Sequence, residues 1–188
     1  MIKGLILAGG KSSRMGFDKS LINYHGKPHR EFLFDLLSQF CTEVHVSCKK
    51  TDDVPQQLNP LLDQYDIESP LNGILSAFSK DPSSAWLALA VDMPFIDSVT
   101  LQFLISNRGS DKVATCFLDS DGKNPEPLLT LWESNAFPLL QSFYRAGNIS
   151  PRSFLIQHDV HILSAPDKNV LVNINSHDEL NRFNEDAR

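Results

Sequence analysis

The chain has 188 residues, 41% hydrophobic and 21% charged, so it carries enough apolar surface for a sizeable core in a single domain spanning 1–188, and intrinsic disorder is excluded as its main state. Twenty-three acidic against 17 basic residues leave a formal net charge of −6. That excludes the basic field of a nucleic-acid-wrapping surface, though not a few local cations around a small phosphorylated ligand. The apolar runs are far shorter than the roughly 20 residues that cross a bilayer, so no membrane span is expected. Met1-Ile2-Lys3-Gly4 opens an apolar run that ends in glycines, which reads as a buried strand entering a loop and not as a signal peptide. Cys41, Cys48 and Cys116 form a dispersed, odd set, which indicates neither a disulfide framework nor a zinc site and suits the reducing cytoplasm.

Along the chain the apolar period alternates between strand and helix. Residues 2–8 form a continuous apolar run, as expected of a strand buried on both faces. Phe32, Leu33, Leu36, Leu37 and Phe40 fall on one helical stripe, and 44–47 reads as the next strand. Leu71, Ile74, Leu75 and Phe78 recur at helical spacing behind Pro70, which suits a first turn. Residues 86–91 are a second strand buried on two sides, followed by a helix over 98–106 and strands over 112–118 and 128–132. Residues 170–175 read as extended, and the capping box Ser176-His177-Asp178-Glu179 starts a last helix carrying Leu180 and Phe183. Such alternation builds a mostly parallel sheet with helices on both faces, whose ligands sit beyond the carboxyl ends of the strands.

The first strand leads into Leu7-Ala8-Gly9-Gly10-Lys11-Ser12-Ser13-Arg14-Met15-Gly16-Phe17-Asp18-Lys19-Ser20-Leu21. Adjacent glycines allow positive φ and close backbone approach, successive amides form an anion nest, and Arg14 and Lys19 add a planar fork and a point charge. The spacing fits neither the P-loop nor the dinucleotide fingerprint. A solvated surface turn is the plain alternative, but two glycines, an Arg and a Lys within about one βα connection favour phosphate binding.

On these residues the chain resembles the molybdenum cofactor guanylyltransferases of the nucleotide-diphospho-sugar transferase superfamily. The resemblance continues in Gly26-Lys27-Pro28, Ser69-Pro70-Leu71-Asn72-Gly73-Ile74, Val91-Asp92-Met93-Pro94-Phe95 and Asn173-Ile174-Asn175. It implies a Rossmann-like three-layer α/β/α sandwich with a mostly parallel, mixed central sheet. It also implies transfer of GMP from GTP, with Mg²⁺, to molybdopterin, releasing pyrophosphate. By the same resemblance Leu7, Ala8 and Gly9 contact the nucleotide, partly through backbone facing the guanine, while Gly10, Arg14 and Lys19 hold phosphates. Asp63 contacts the nucleoside, Asp92 holds the metal, and Asn173 and Asn175 lie near metal and acceptor. Ser69 stands where the family commonly has glycine, Asn72 where it commonly has alanine, and Ser47 where many members have a base-contacting asparagine.

Asp92 follows a buried strand and precedes Pro94, so it stands at a strand's carboxyl end, where a carboxylate suits a hard, oxygen-seeking cation; a turn or helix cap is its bland alternative. Asn173 and Asn175, two apart on an extended segment, point to one face while Ile174 points to the core; an Asx turn or helix cap is theirs. His158 and His161 read as facing opposite sides of a strand, and His25 and His29, flanking a turn, as facing solvent. The cysteines read as core packing. Residues 147–152 read equally as a loop whose Arg152 binds an acceptor phosphate and as an ordinary turn before a helix. The expected state is a cytoplasmic monomer, with transient contact to other cofactor-biosynthesis proteins left open. A cytidylyl- or sugar-phosphate nucleotidylyltransferase remains an alternative, as does a catalytically silent nucleotide-binding module that regulates a partner. Intact Arg14, Lys19 and Asp92 speak against the last.

Overall fold

The computed structural model describes residues 1–8 and 19–174. Seven strands are found there: β1 (Ile2–Leu7), β2 (Val44–Cys48), β3 (Pro60–Leu62), β4 (Ala85–Ala90), β5 (Ala114–Leu118), β6 (Pro125–Trp132) and β7 (His161–Leu163). They form one sheet in the order β3-β2-β1-β4-β6-β5-β7. Six run in one direction and β6 alone runs against its neighbours β4 and β5, so the sheet is mixed and mostly parallel, as expected.

Two helices, α1 (His29–Ser38) and α3 (Ser98–Ser106), cover one face; three others, α2 (Leu71–Lys80), α4 (Ala136–Arg145) and α5 (Pro151–Gln157), cover the opposite face. Alternate residues of β1 explain how a continuous apolar run serves both layers. Ile6 packs under α1 with Leu33 and Leu37, while Leu5 and Leu7 pack under α2 with Leu71 and Ile74. Trp86 and Trp132 face each other across β4 and β6, and both are wholly buried in the α2 layer.

Several expectations need correction. Residues 168–171 form a 3-10 turn and not an extended segment, because the Asp167 carboxylate accepts from Asn169 N at 2.9 Å and so caps the turn; Val170 and Leu171 are thereby driven into the core. His158 is not on a strand: it ends α5 and stacks on Phe154 at 3.8 Å between ring centroids, and only His161 lies on β7. The capping box at 176–179 with Leu180 and Phe183 lies outside the described residues. The cysteine reading holds, since burial pushes the thiols of Cys41 and Cys116 up to about 12 and that of Cys48 to about 11.

His29 faces the interior and not solvent, with 0% exposure, between Tyr24 and Phe32. Burial, and the neighbouring His25, pull its pKa down to about 4; the Met93 backbone, close by but outside hydrogen-bonding geometry, opposes weakly. The folded value lies below the unfolded 6.5, so the stability this neutral ring allows is present above pH 6.5 and is lost as the pH falls toward 4. At roughly 1.4 kcal/mol per unit, the loss is on the order of 3 kcal/mol. Urea unfolding at pH 7 and pH 4 is expected to show wild type losing about that much more than His29→Phe, which keeps the ring and removes the titration.

Candidate active site

The parallel register places the strand ends in a row. Leu7 of β1 pairs with Ser47 of β2 and Ala90 of β4, and Ser47 pairs with Leu61 of β3. Asp63 and Asp92 each stand two residues beyond that row, just past the carboxyl ends of β3 and β4, the strands at its two ends. Both carboxylates therefore rise from the carboxyl edge of the sheet, where open α/β folds bind ligands.

At the β4 end, Asp92 is not the cap of α3. Asp97 is, accepting from Thr100 N at 2.8 Å. Asp92 Oδ1 is instead buried without a hydrogen-bond partner, and so is Asn173 Oδ1. The two residues are brought together by the backbone, because Ile174 N donates to Asp92 O at 2.9 Å. Lys19 Nζ in turn donates to Ile174 O at 3.0 Å, which draws its ammonium toward the same corner. Burial pushes the Asp92 carboxyl above its usual range, and the charge of Lys19 opposes the shift. Two orphaned hard oxygens beside a cation are costly unless something binds them. They fit a divalent metal such as Mg²⁺, which takes one or two protein oxygens and fills its shell with substrate phosphates. Among the described residues no group of three or more His, Cys, Asp or Glu gathers to cage a metal, in keeping with such an open site.

At the β3 end, Ser47 Oγ donates to Asp63 Oδ1 at 2.7 Å, and burial raises the Asp63 pKa. The first turn of α2 presses on this pair. A Cβ on Gly73 would stand 2.7 Å from Ser47 Oγ and 2.8 Å from Leu7 Cδ2, so glycine is required there for close approach. Asn72, one residue earlier, donates to the carbonyls of Tyr65 and Ile67 and accepts from Tyr65 N, while Ser76 Oγ accepts from Gln64 N. The departure from alanine at Asn72 thus clamps the loop that follows Asp63. At Ser69 the hydroxyl donates to Ile149 O, tying this loop to the segment before α5.

Of the other expected site residues, Leu7 turns its side chain into the core against α2, so its contact with a ligand is limited to backbone; Ala8 is half-buried just past the strand end. Gly9, Gly10, Arg14 and Asn175 lie outside the described residues. Arg152 lies in the first turn of α5, whose cap is Ser150 Oγ accepting from Ser153 N. Its guanidinium is 2.9 Å from Asp119 and 3.5 Å from the buried Glu126, so two carboxylates already neutralise the charge that an acceptor phosphate would need. The alternative of an ordinary helix start therefore accounts for it. Glu126, at the start of the reversed strand β6, was not singled out from sequence. Its only signal is a carboxylate opening an apolar strand, Pro125-Glu126-Pro127-Leu128-Leu129.

A mixed, mostly parallel sheet with helices on both faces is the α/β fold of the nucleotidyltransferases it superposes on. Residues 4–162 match the family model described as the MobA-like NTP transferase domain, and the chain belongs to that family. It is 36% identical over 187 residues to the "Molybdenum cofactor biosynthesis bifunctional protein" of Synechocystis sp., covering 96% of this chain but only 53% of that longer protein. It is 31% identical to the "Probable molybdenum cofactor guanylyltransferase" of Flavobacterium johnsoniae, covering 95% of this chain and 94% of the relative. The molybdopterin-guanine dinucleotide biosynthesis protein A from Archaeoglobus fulgidus superposes with a TM-score of 0.81 over 98% of both chains at 22% identity, a likeness of fold. Members of this nucleotidyltransferase family generally depend on a divalent metal. Among the described residues no helix is long and apolar enough to cross a membrane.

Proposed function

We propose that the chain, acting as one domain over 1–188, transfers GMP from GTP to the terminal phosphate of molybdopterin or its metal-loaded form, releasing pyrophosphate. The observation that carries this reading is Asp92 Oδ1, buried and unpartnered just past β4 within the field of Lys19, with the Asn173–Ile174 backbone hydrogen-bonded to Asp92. The names of the Synechocystis and Flavobacterium relatives support the guanylyl donor and the molybdenum-cofactor acceptor. We place the reaction in the cytoplasm and the active form as a monomer. The longer, bifunctional Synechocystis relative supports transient contact with other cofactor-biosynthesis proteins.

The chemistry needs little from the protein beyond position and charge. A phosphate monoester with a second pKa of about 6 is largely ionised at neutral pH, so its oxygen attacks the α-phosphorus without a general base. The new P–O bond forms as the bond to the β-phosphate breaks, and both electrons of that bond leave with pyrophosphate. Asp92 and Asn173, and by the family resemblance Asn175, would hold Mg²⁺, which when bound would supply charge neutralisation to the reacting phosphates. Lys19 and Arg14, with the amides of Gly9 and Gly10, neutralise the departing pyrophosphate. Asp63 holds the nucleoside at the other end of the row.

Pyrophosphate release from GTP, CTP, ATP and UTP, each with Mg²⁺ and purified molybdopterin, tests the proposal. GTP is expected to be used in preference to all others. Preference for CTP would reassign the donor, and turnover with none would leave a silent nucleotide-binding module.

A further inference from the structure

Asp63 and Asp92 are separated by three strand steps, from β3 through β2 and β1 to β4, which at about 4.8 Å per step is about 14 Å. A nucleotide with its α-phosphate at Asp92 brings its ribose hydroxyls only part of that way. The far edge of its base reaches Asp63. Guanine presents two adjacent donors on that edge, N1–H and the 2-amino group, whereas cytosine, adenine and uracil each offer one donor beside an acceptor. A carboxylate held in a fixed plane accepts from both guanine donors and repels the acceptor of the other bases.

What fixes the plane is Ser47. Its hydroxyl holds Asp63 Oδ1 at 2.7 Å; its side chain is 2% exposed; and α2 packs so closely at Gly73 that the hydroxyl has no room to swing toward the helix. The backbone on either side of the carboxylate is pinned as well, with Asp63 N donating to Cys48 O at 2.9 Å and Gln64 N to Ser76 Oγ at 2.8 Å. An ionised carboxylate has about four acceptor positions, so one donor from Ser47 leaves enough for the base.

We infer that Ser47 is a positioning residue for base selectivity, holding the Asp63 carboxylate in the orientation that reads the N1–H and 2-amino edge of guanine. The inference rests on guanylyl transfer as the function. It gives Ser47 a task different from that of an asparagine touching the base: the short hydroxyl acts through the carboxylate.

The test measures binding of GTP, ITP, XTP and CTP in the presence of Mg²⁺ to wild type, Ser47→Ala and Asp63→Asn. ITP lacks the 2-amino group, and XTP carries an oxygen in its place. Wild type is expected to favour GTP over ITP, and Ser47→Ala to reduce that ratio by about tenfold through lost affinity for GTP, with ITP binding little changed. Asp63→Asn is expected to turn the preference toward XTP, because an amide N–H donates to the 2-oxo group where the carboxylate accepted. A GTP:ITP ratio untouched by Ser47→Ala, or a GTP preference over XTP untouched by Asp63→Asn, overturns the inference while guanylyl transfer stands. A wild type that favours CTP or binds no nucleotide overturns guanylyl transfer itself, and this inference with it.

Discussion

Asp92→Asn is expected to lower kcat/KM for GTP by about 10²–10³ while leaving the protein as stable as wild type or more so. The two halves of this result have one cause. Asp92 Oδ1 is buried with no hydrogen-bond partner, and burial pushes its carboxyl above the usual range despite the opposing charge of Lys19. A folded pKa above the unfolded one means that the native state holds the proton more tightly, so stability falls as the pH rises through the raised value. Above that raised value the metal-free protein carries the cost of a desolvated anion. The amide keeps the shape and removes that charge, and each kcal/mol recovered raises Tm by about 2–4 °C for a chain of this size. A carboxylate that served only to hold the fold would show the reverse, a loss of Tm on substitution. Thermal unfolding without metal, set beside steady-state pyrophosphate release with Mg²⁺, separates the two roles. The same linkage gives a pH dependence: as the pH falls through the raised value, a proton competes with the cation for Asp92, so the Mg²⁺ concentration for half-maximal rate rises.

The parts of this fold that are legible in the sequence are those where one local pattern decides. β4 is an unbroken apolar run and β1 is one from Gly4 onward because both faces are covered, and α3 is bounded by its Asp97 cap and by the end of its apolar stripe. Asp92 could be found because such a run stops at Asp-Met-Pro. β3 could not: it has three residues at an edge of the sheet and its last residue is exposed, so its existence is decided by pairing with β2; β7, equally short and at the other edge, shows in the sequence only as a strand around His158 and His161 whose start is misplaced. The burial of His29 was in principle readable, since 29, 33, 36 and 37 continue one helical stripe, but the neighbouring Gly26-Lys27-Pro28 turn suggested solvent. The contacts of Arg152 with Asp119 and Glu126, and of Ser47 with Asp63, join residues 33, 26 and 16 positions apart through tertiary packing. No periodicity encodes them. The resemblance of motifs implied a nucleoside contact for Asp63, and the structure adds Ser47 as its hydrogen-bond partner.

Lys19→Ala is expected to cost about 10²–10³ in kcat/KM for GTP, with kcat falling and not KM alone rising. Lys19 joins three things that the reaction needs in one place. Its ammonium donates to Ile174 O at 3.0 Å, Ile174 N donates to Asp92 O at 2.9 Å, and Asn173 directly precedes the residue that makes both contacts. Its positive charge also opposes the upward shift of the Asp92 carboxyl. Without it, Asp92 holds its proton to still higher pH, so the Mg²⁺ requirement at a given pH rises, and the segment carrying Asn173 loses its hydrogen bond to the Lys19 side chain. A residue that only attracted GTP from solution would behave differently: its loss would raise KM, leave kcat in place and be relieved at saturating nucleotide. Lys19→Arg is the informative companion, since it keeps the charge but replaces a compact ammonium on a flexible stem with a wide planar fork. Partial recovery of the Mg²⁺ dependence with little recovery of kcat is the expected pattern, because the charge beside Asp92 returns while the ammonium's contact to Ile174 O does not. If Lys19→Ala leaves kcat/KM for GTP unchanged, neither the glycine-rich connection nor this lysine handles the phosphates, and the leaving group must be stabilised elsewhere on the strand edge.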